Sequence, residues 1–205
     1  MRAVLVAAAL TAAAPTAPRP ASAGRDVRPV PPATWRIDLA HSELSFRIRH
    51  LVSRVRGTFR EWSGTITADT ANLAAGSVEV TIRTASIFTD NERRDAHLRT
   101  GDFFAADSFP TITFTSTGVE RTGNDLRVTG NLTMRGVTRP VTLTGTYNGV
   151  QDMGSQGGAR MGVELRARIN RLDYKVRWNR AAEGGGVILG DDVEIDITVA
   201  AVRQG

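Results

Sequence analysis

His41, His50 and His97 are the only imidazoles in this chain of 205 residues, and it contains no Cys. Without Cys there is no disulfide, no thiolate nucleophile and no sulfur-ligated metal or cluster. Hydrolytic chemistry needs a nucleophile, a base and a group that orients the base. Ser and Asp are plentiful, but no G-x-S-x-G, H-E-x-x-H or phosphate-cradling loop occurs. His41 and His50 are nine residues apart along a strand-like run, and odd spacing turns them to opposite faces. Three His with no paired carboxylate motif make a weak metal set. The sequence therefore points to no catalytic constellation, no metal and no cofactor. His41 reads as a hydrogen-bonding residue at a strand entry, and His97 as a helix-surface residue. His50 follows Phe46 and Ile48 on an apolar face; it reads first as a hydrogen-bonded core histidine, and otherwise as a polar group carried into the interior.

Charge excludes another class of function. The chain has 25 Arg but only one Lys, Lys175, and a net charge of +5. Arg47, Arg49, Arg54, Arg56 and Arg60 form a basic stretch. They alternate with apolar residues and lack the exposed aromatics that stack on bases. A solvated sheet face accounts for them, and nucleic-acid binding is not expected.

The elements that must position these residues read as strands. From Thr34 onward the dominant period is two. Trp35, Ile37 and Leu39 alternate with polar neighbours, as do Leu44, Phe46, Ile48 and His50. Phe59 follows Gly57 on one face, and Trp62, Gly64, Ile66 and Ala68 continue it. Val78, Val80 and Ile82 form another face, then Ile112 and Phe114. Leu126, Val128, Gly130, Leu132 and Met134 share a face, followed by Val141, Leu143, Gly145 and Tyr147. Met161, Val163, Leu165, Ala167 and Ile169 come next, and Val193, Ile195, Ile197 and Val199 close the series. Gly123-Asn124 and Asn148-Gly149 are hairpin or loop signals. Arg135 to Pro140 reads as a turn, and Gly154 to Gly158 as a loop tip. Asn91 to Leu98 is the one helical segment, with Asp90 or Asn91 to cap it and Gly101 to stop it.

Eight or more antiparallel strands, each apolar on one face, close into a barrel or stack as a sandwich. Long strands joined by short turns favour the barrel. The expected fold is all-β: an antiparallel barrel of eight or more strands with one short helical segment. Such a barrel can enclose one small ligand. The apolar fraction of 41% suffices for a core, and 23% charged residues exclude a disordered chain.

The first residues have another origin. Met1-Arg2 is followed by the apolar run Ala3 to Ala14, and Ala21-Ser22-Ala23 supplies a small-residue cleavage site. Residues 1–23 read as a secretory signal peptide. The run is shorter than the ~20 residues of a membrane span. Cleavage removes two of 26 basic residues and none of 21 acidic ones, so +5 becomes +3. Residues 24–33, with Pro29, Pro31 and Pro32, form a stiff leader, and 34–205 form the barrel domain. A periplasmic or secreted location follows.

Particular residues carry a resemblance. The run Asp38-Leu39-Ala40-His41-Ser42-x-Leu44-x-Phe46-x-Ile48-x-His50-Leu51, then Val55-x-Gly57-x-Phe59 and Trp62-x-Gly64, resembles the opening of the YceI-like family. Ser86-Ile87-x-Thr89, Arg94-Asp95-x-His97-Leu98, Asp102-Phe103-Phe104 and Phe109-Pro110-x-Ile112-x-Phe114-x-Ser116 match its middle. Gly130-x-Leu132 through Val141, Ile169-Asn170-Arg171-x-Asp173-Tyr174 and Val193-x-Ile195 complete the match. The resemblance implies a secreted bacterial protein with a lipocalin-like fold, an eight-stranded antiparallel up-and-down barrel with one short flanking α-helix, that binds a long isoprenoid-type lipid, such as a polyprenyl phosphate or an isoprenoid quinone, for transport, storage or sequestration. A redox accessory using the His residues and a bound quinone or metal is a second reading, and a stress-response protein with an incidental cavity a third. The expected ligand-binding residues are Phe46, Ile48, His50, Phe59, Ile66, Val80, Ile82, Arg94, Asp95, His97, Leu98, Phe103, Phe104, Phe114, Leu132, Met134, Leu143, Met161, Val163, Leu165 and Ile195. Among them His50, Arg94, Asp95 and His97 are candidates for a polar head group; docking of the helix is the other reading of Arg94 and Asp95. The expected partners are an apolar lipid and, transiently, a membrane surface; both a monomer and a homodimer fit. Lys175 stands where the family usually has Gly. A Cβ disfavours left-handed backbone, so the loop there is expected to depart from it.

Overall fold

The computed structural model describes residues 32–154, 157–183 and 185–205. The expected signal peptide and the leader through residue 31 lie outside the described residues. Eleven strands follow in order: β1 (Ala33–Ile37), β2 (Glu43–His50), β3 (Ser53–Phe59), β4 (Trp62–Asp69), β5 (Asn72–Arg83), β6 (Ile87–Phe88), β7 (Thr111–Thr122), β8 (Asp125–Met134), β9 (Val137–Asp152), β10 (Ala159–Asn170) and β11 (Leu189–Arg203). One α-helix, α1 (Glu92–Arg99), lies between β6 and β7. Ala33, assigned to the leader by sequence, is the first residue of β1.

All ladders are antiparallel and form one sheet that closes through β1 and β11, with Trp35 opposite Arg203 and Ile37 opposite Ala201. The eleven strands make eight staves. β1 and β2 both pair with β11; β4 pairs with β1 and β3 with β2; β5 pairs with β4 and β6 with β3. The first three staves are thus β1/β2, β3/β4 and β5/β6, each broken once. Every stave neighbours the next in sequence, which is the expected up-and-down barrel. Closure removes an open sheet edge that would otherwise invite association.

The breaks have local causes. Asp38 turns the first stave outward: its carboxylate accepts from Ala40 N at 3.1 Å, His41 Nδ1 at 2.9 Å and Arg160 Nη1 at 2.8 Å. The His41 hydrogen bond, then that of Arg160, holds this carboxyl below the usual carboxylate range. Ser42 Oγ accepts from Ala200 N at 2.9 Å and so keeps the broken stave attached to β11. Leu39, expected on the inward face, is exposed because it falls within this break. His41 has the strand-entry role that its position suggested.

Two turn expectations need correction. Asn148-Gly149 is not a hairpin. It lies inside β9, where the ladder to β10 shifts register, with Gly149 opposite Gly162 and Tyr147 opposite Val163. Asn148 is the extra residue of a bulge, and Gly149 takes φ 94°. The Arg135–Pro140 segment turns only at Arg135-Gly136, both left-handed at φ 50° and 70°. Val137 onward is strand, and Pro140 pairs with Asn131 of β8. The ladder to β10 stops at Thr144, so the nitrogen of Pro140 faces no neighbouring strand. The single turn Arg171–Tyr174 packs against that stretch of β9, with Tyr174 only 1% exposed.

Lys175 caps this turn at φ 60° and ψ 20°, so the backbone is left-handed although the residue is not Gly. The expected departure of the loop does not occur. Its N–H is bonded to the carbonyl of Leu172 at 3.0 Å, and this geometry outweighs the Cβ contact. The helix is as expected: Asn91 Oδ1 accepts from Arg94 N at 2.9 Å, and Arg99 is its last residue.

Two expected outcomes follow. Lys175→Gly removes a left-handed cost of about 1–2 kcal/mol, partly offset by the flexibility of Gly in the unfolded chain. The net gain of about 1 kcal/mol should raise the thermal midpoint by roughly 2–4 °C in a scanning calorimeter; an unchanged or lower midpoint would contradict it. The second concerns the only two tyrosines, Tyr147 and Tyr174. Burial pushes both phenols up, Tyr174 to about 12 with Asp173 adding to the shift. A raised folded pKa favours the neutral phenol, so its stabilisation is complete below about pH 10 and is lost as pH rises toward about 12. Absorbance at 295 nm should show both phenols ionising above pH 10 in the folded protein, Tyr174 near pH 12, and denaturant stability should fall as pH rises from about 10.

Candidate functional site

Inward-facing side chains line a cavity of about 670 Å³ through the barrel, a size that suits a small-molecule site. Its wall is apolar along nearly the whole length. At one end Trp35, Ala68, Leu73, Leu126, Tyr147, Met161 and Ala201 are all buried and close the barrel. In the middle Phe46, Ile66, Val80, Leu132, Leu165 and Ile197 point inward yet remain partly accessible, because nothing fills the space between them. Two aromatic rings shape this section. The ring of Phe46 covers Gly57 directly opposite, where an added Cβ would come within 2.3 Å of it. The ring of Phe114 lies over Gly130 in the same way, at 2.4 Å. Glycine there lets an aromatic lie flat on the wall instead of blocking the lumen.

The other end carries the polar groups. His50 and Val55, at the base of the β2–β3 hairpin, line it together with Thr89, Asn91, Arg93, Arg94 and His97. The helix is fastened there through Thr89. Asp95, 3% exposed, accepts from Thr89 N at 2.9 Å and Thr89 Oγ1 at 2.5 Å. Arg94 donates to Thr89 Oγ1 from Nε and to the Thr89 carbonyl from Nη2, both at 2.7 Å. His97 packs edge-on against Phe103 and Trp178, with ring centroids 5.1 and 5.2 Å away, and Nε2 meets Asp102 Oδ2 at 2.7 Å. His97 is thus part of an aromatic cluster on the cavity wall and not merely a helix-surface residue. His41 sits on the outer wall, apart from His50 and His97.

Twenty of the 21 residues expected at the site line this cavity. Phe46, Ile48, Phe59, Ile66, Val80, Ile82, Phe114, Leu132, Met134, Leu143, Met161, Val163, Leu165 and Ile195 form its wall, and His50, Arg94, His97, Leu98, Phe103 and Phe104 surround its polar end. Asp95 is the exception: its carboxylate faces Thr89 and is not on the wall. The sequence reading missed Arg93, one helical turn from His97 on the same face; a stricter use of the i, i+4 spacing would have found it. It also missed the segment that caps this end. Val176, Trp178 and Leu189 pack with Phe103, Leu98 and Phe104 into a second apolar cluster, although the Gly-rich stretch between them shows no strand period.

Arg171 organises that segment. It is 3% exposed and donates from Nε to the Gly190 carbonyl at 2.9 Å and from Nη1 to those of Val176 at 2.7 Å and Trp178 at 2.9 Å. Nη2 meets Asp191 Oδ1 at 3.2 Å. Burial lowers its pKa, and Asp191 opposes the shift. Its donors are committed to the loop, so it is not free to hold a ligand. Arg93 and the His50 ring take no hydrogen bond from another described residue. They are the unspent polar groups of the site.

The comparisons agree with this geometry. The YceI-like domain model matches residues 35–201. Protein YceI of Escherichia coli O17:K52:H18 is 39% identical over 175 residues, covering 84% of this chain and 88% of that protein. The crystal structure of Campylobacter jejuni YCEI protein superimposes with a TM-score of 0.65 at 33% identity, over 77% of this chain and 90% of that one. Burkholderia cenocepacia BcnA gives 0.69 at 27% identity, over 80% and 98%. A polyisoprenoid binding domain from Saccharophagus degradans gives 0.61 at 19% identity, a likeness of fold, over 84% and 99%. With the matching model spanning the barrel from its first stave to its last, the chain belongs to the YceI-like family.

Proposed function

We propose that this barrel holds one long-chain lipid of isoprenoid type outside the cytoplasm, for transport, storage or sequestration, with the polar end of the lipid at α1. The observation that carries the reading is the distribution of polarity: a continuous apolar lumen with its unspent polar side chains at one end. Each methylene taken from water into such a lumen contributes about 0.8 kcal/mol, so the chain alone can supply most of the affinity. A polar head buried without partners would cost several kcal/mol. Arg93 and His50 offer those partners, and a guanidinium suits a phosphate through its planar fork of donors. The head-group role read in the sequence for Arg94 passes to Arg93, because Nε and Nη2 of Arg94 are spent on Thr89. The name of the Saccharophagus degradans domain supports an isoprenoid chain. The Ala21-Ser22-Ala23 site supports export with a mature start at Gly24. In this reading the protein binds and does not catalyse; the redox alternative would draw His41 together with His50 and His97, which lie on opposite sides of the wall.

The direct test is solvent extraction of protein purified from its native host, followed by mass spectrometry; a prenyl lipid in stoichiometric amount is the expected result, and an empty barrel or a haem would overturn the reading. The head group is tested by titrating a polyprenyl phosphate and the matching alcohol while following Trp178 fluorescence. Arg93→Ala and His50→Ala should each weaken the phosphate about tenfold more than the alcohol, or about 1.4 kcal/mol. Arg94→Ala should weaken both alike, since it loosens the helix.

A further inference from the structure

The turn between β2 and β3 is built from the wrong residues for a turn. Two-residue hairpin connections favour Asn, Asp and Gly, which tolerate positive φ. Here the tip is Leu51-Val52, with Leu51 held at φ 52° and Val52 fully exposed. Neither the backbone nor the core gains from these side chains. An outlier of this kind is a pointer to function.

The tip is not isolated. Leu51 N donates to the Ile188 carbonyl at 2.8 Å, which sets it beside Val187, 58% exposed. Leu172, also exposed, adjoins Arg171, which holds the same loop. Four of the seven large apolar side chains exposed among the described residues therefore border the polar end of the cavity. Around them Arg49, Arg93, Lys175, Arg177 and Arg180 take part in no ion pair among the described residues. Asp90, Glu92, Asp173 and Glu183 share these segments, so the basic excess is small.

We infer that this rim docks on a bilayer containing anionic phospholipid, with Leu51 and Val52 entering the interface and the cations meeting the head groups. The inference rests on the lipid-holding reading and adds the route: a chain leaving a membrane passes the rim into the lumen without crossing water. Exposed apolar tips flanked by Arg and Lys suit the boundary between head groups and acyl chains. Because the basic excess is small, the apolar tip anchors the contact and anionic lipid strengthens it.

The test is flotation of the full mature chain with vesicles of phosphatidylcholine containing phosphatidylglycerol, or of phosphatidylcholine alone. The double variant Leu51→Gly, Val52→Asn puts Gly at the positive-φ position of the turn and a polar residue at the exposed one, so folding is kept and its thermal midpoint should be equal or higher. It should lose at least tenfold in partitioning to the mixed vesicles, while Val150→Asp, on an exposed residue at the opposite end, should not. Binding should also be stronger to the mixed vesicles and should weaken as salt rises. Binding of cis-parinaric acid in solution reports the lumen separately and should be unchanged in both variants. Parent protein that stays off the vesicles, a double variant that partitions like the parent, or an equal loss in Val150→Asp would overturn the docking inference. Parent protein that docks but takes up no cis-parinaric acid would count against the lumen reading and leave the rim assignment standing.

Discussion

The first stave closes this barrel against the last: Trp35, Arg36 and Ile37 of β1 lie opposite Arg203, Val202 and Ala201, and β2 pairs with β11 from Glu43 to His50. Until β1 meets β11, the alternating residues of eight staves face nothing in common. After closure, the apolar faces turn inward around one axis, and β1 no longer ends the sheet as an open edge. Closure also fixes the lumen. An eight-stranded barrel is just wide enough for its side chains to fill it or to leave room for one ligand. Which of these occurs depends on residue size at the inward positions, and this chain does both: one end is packed and the other is hollow.

The difference between the two ends is where structure becomes function. At the more closed end Trp35, Leu73, Tyr147 and Met161 are buried in one core cluster, the last three also bounding the cavity. Toward the other end Gly57 and Gly130 let Phe46 and Phe114 lie against the wall, and the lumen stays open. The helix across that end is held through Thr89, whose backbone and hydroxyl serve both Asp95 and Arg94, and through Arg99, which donates to the carbonyls of Ala85 and Ile87. Adjacent acid and base are thereby consumed in positioning, and the next residue along the helix face, Arg93, is left available.

Arg171 performs a comparable task for the loop before β11. A buried guanidinium is costly unless its donors are satisfied. Here three carbonyls and one carboxylate satisfy it; the carbonyls of Val176 and Trp178 belong to a segment with no strand or helix of its own, and that of Gly190 lies at the start of β11. Without that hub, Val176 and Trp178 would have no fixed place over the cavity. Tyr174, on the same turn, occupies the stretch of β9 where pairing with β10 lapses.

Much of this was legible in the sequence, because strand alternation is a local property. A period of two assigns each side chain to a face whatever the partner strand, so the inward sets from Leu44–His50 through Val193–Val199 could be read directly, and with them fifteen of the cavity residues. The capped helix was legible for the same reason, through Asn91 and the residues after it. The rest depended on contacts between distant segments. Asn148-Gly149 has the composition of a turn, and only its register against β10 makes it a bulge. Leu39 keeps the alternating phase, but Asp38, bonded to Arg160 from another stave, turns the chain outward before it. Lys175 adopts a backbone that its side chain disfavours, because a turn fixed by Arg171 requires it. Asp95 and Arg94 are polar residues in a cavity-lining helix, and only the position of Thr89 decides that the first faces away from the lumen and the second is largely spent. Local periodicity determined which residues face inward; long-range hydrogen bonds decided which of the polar ones remain free.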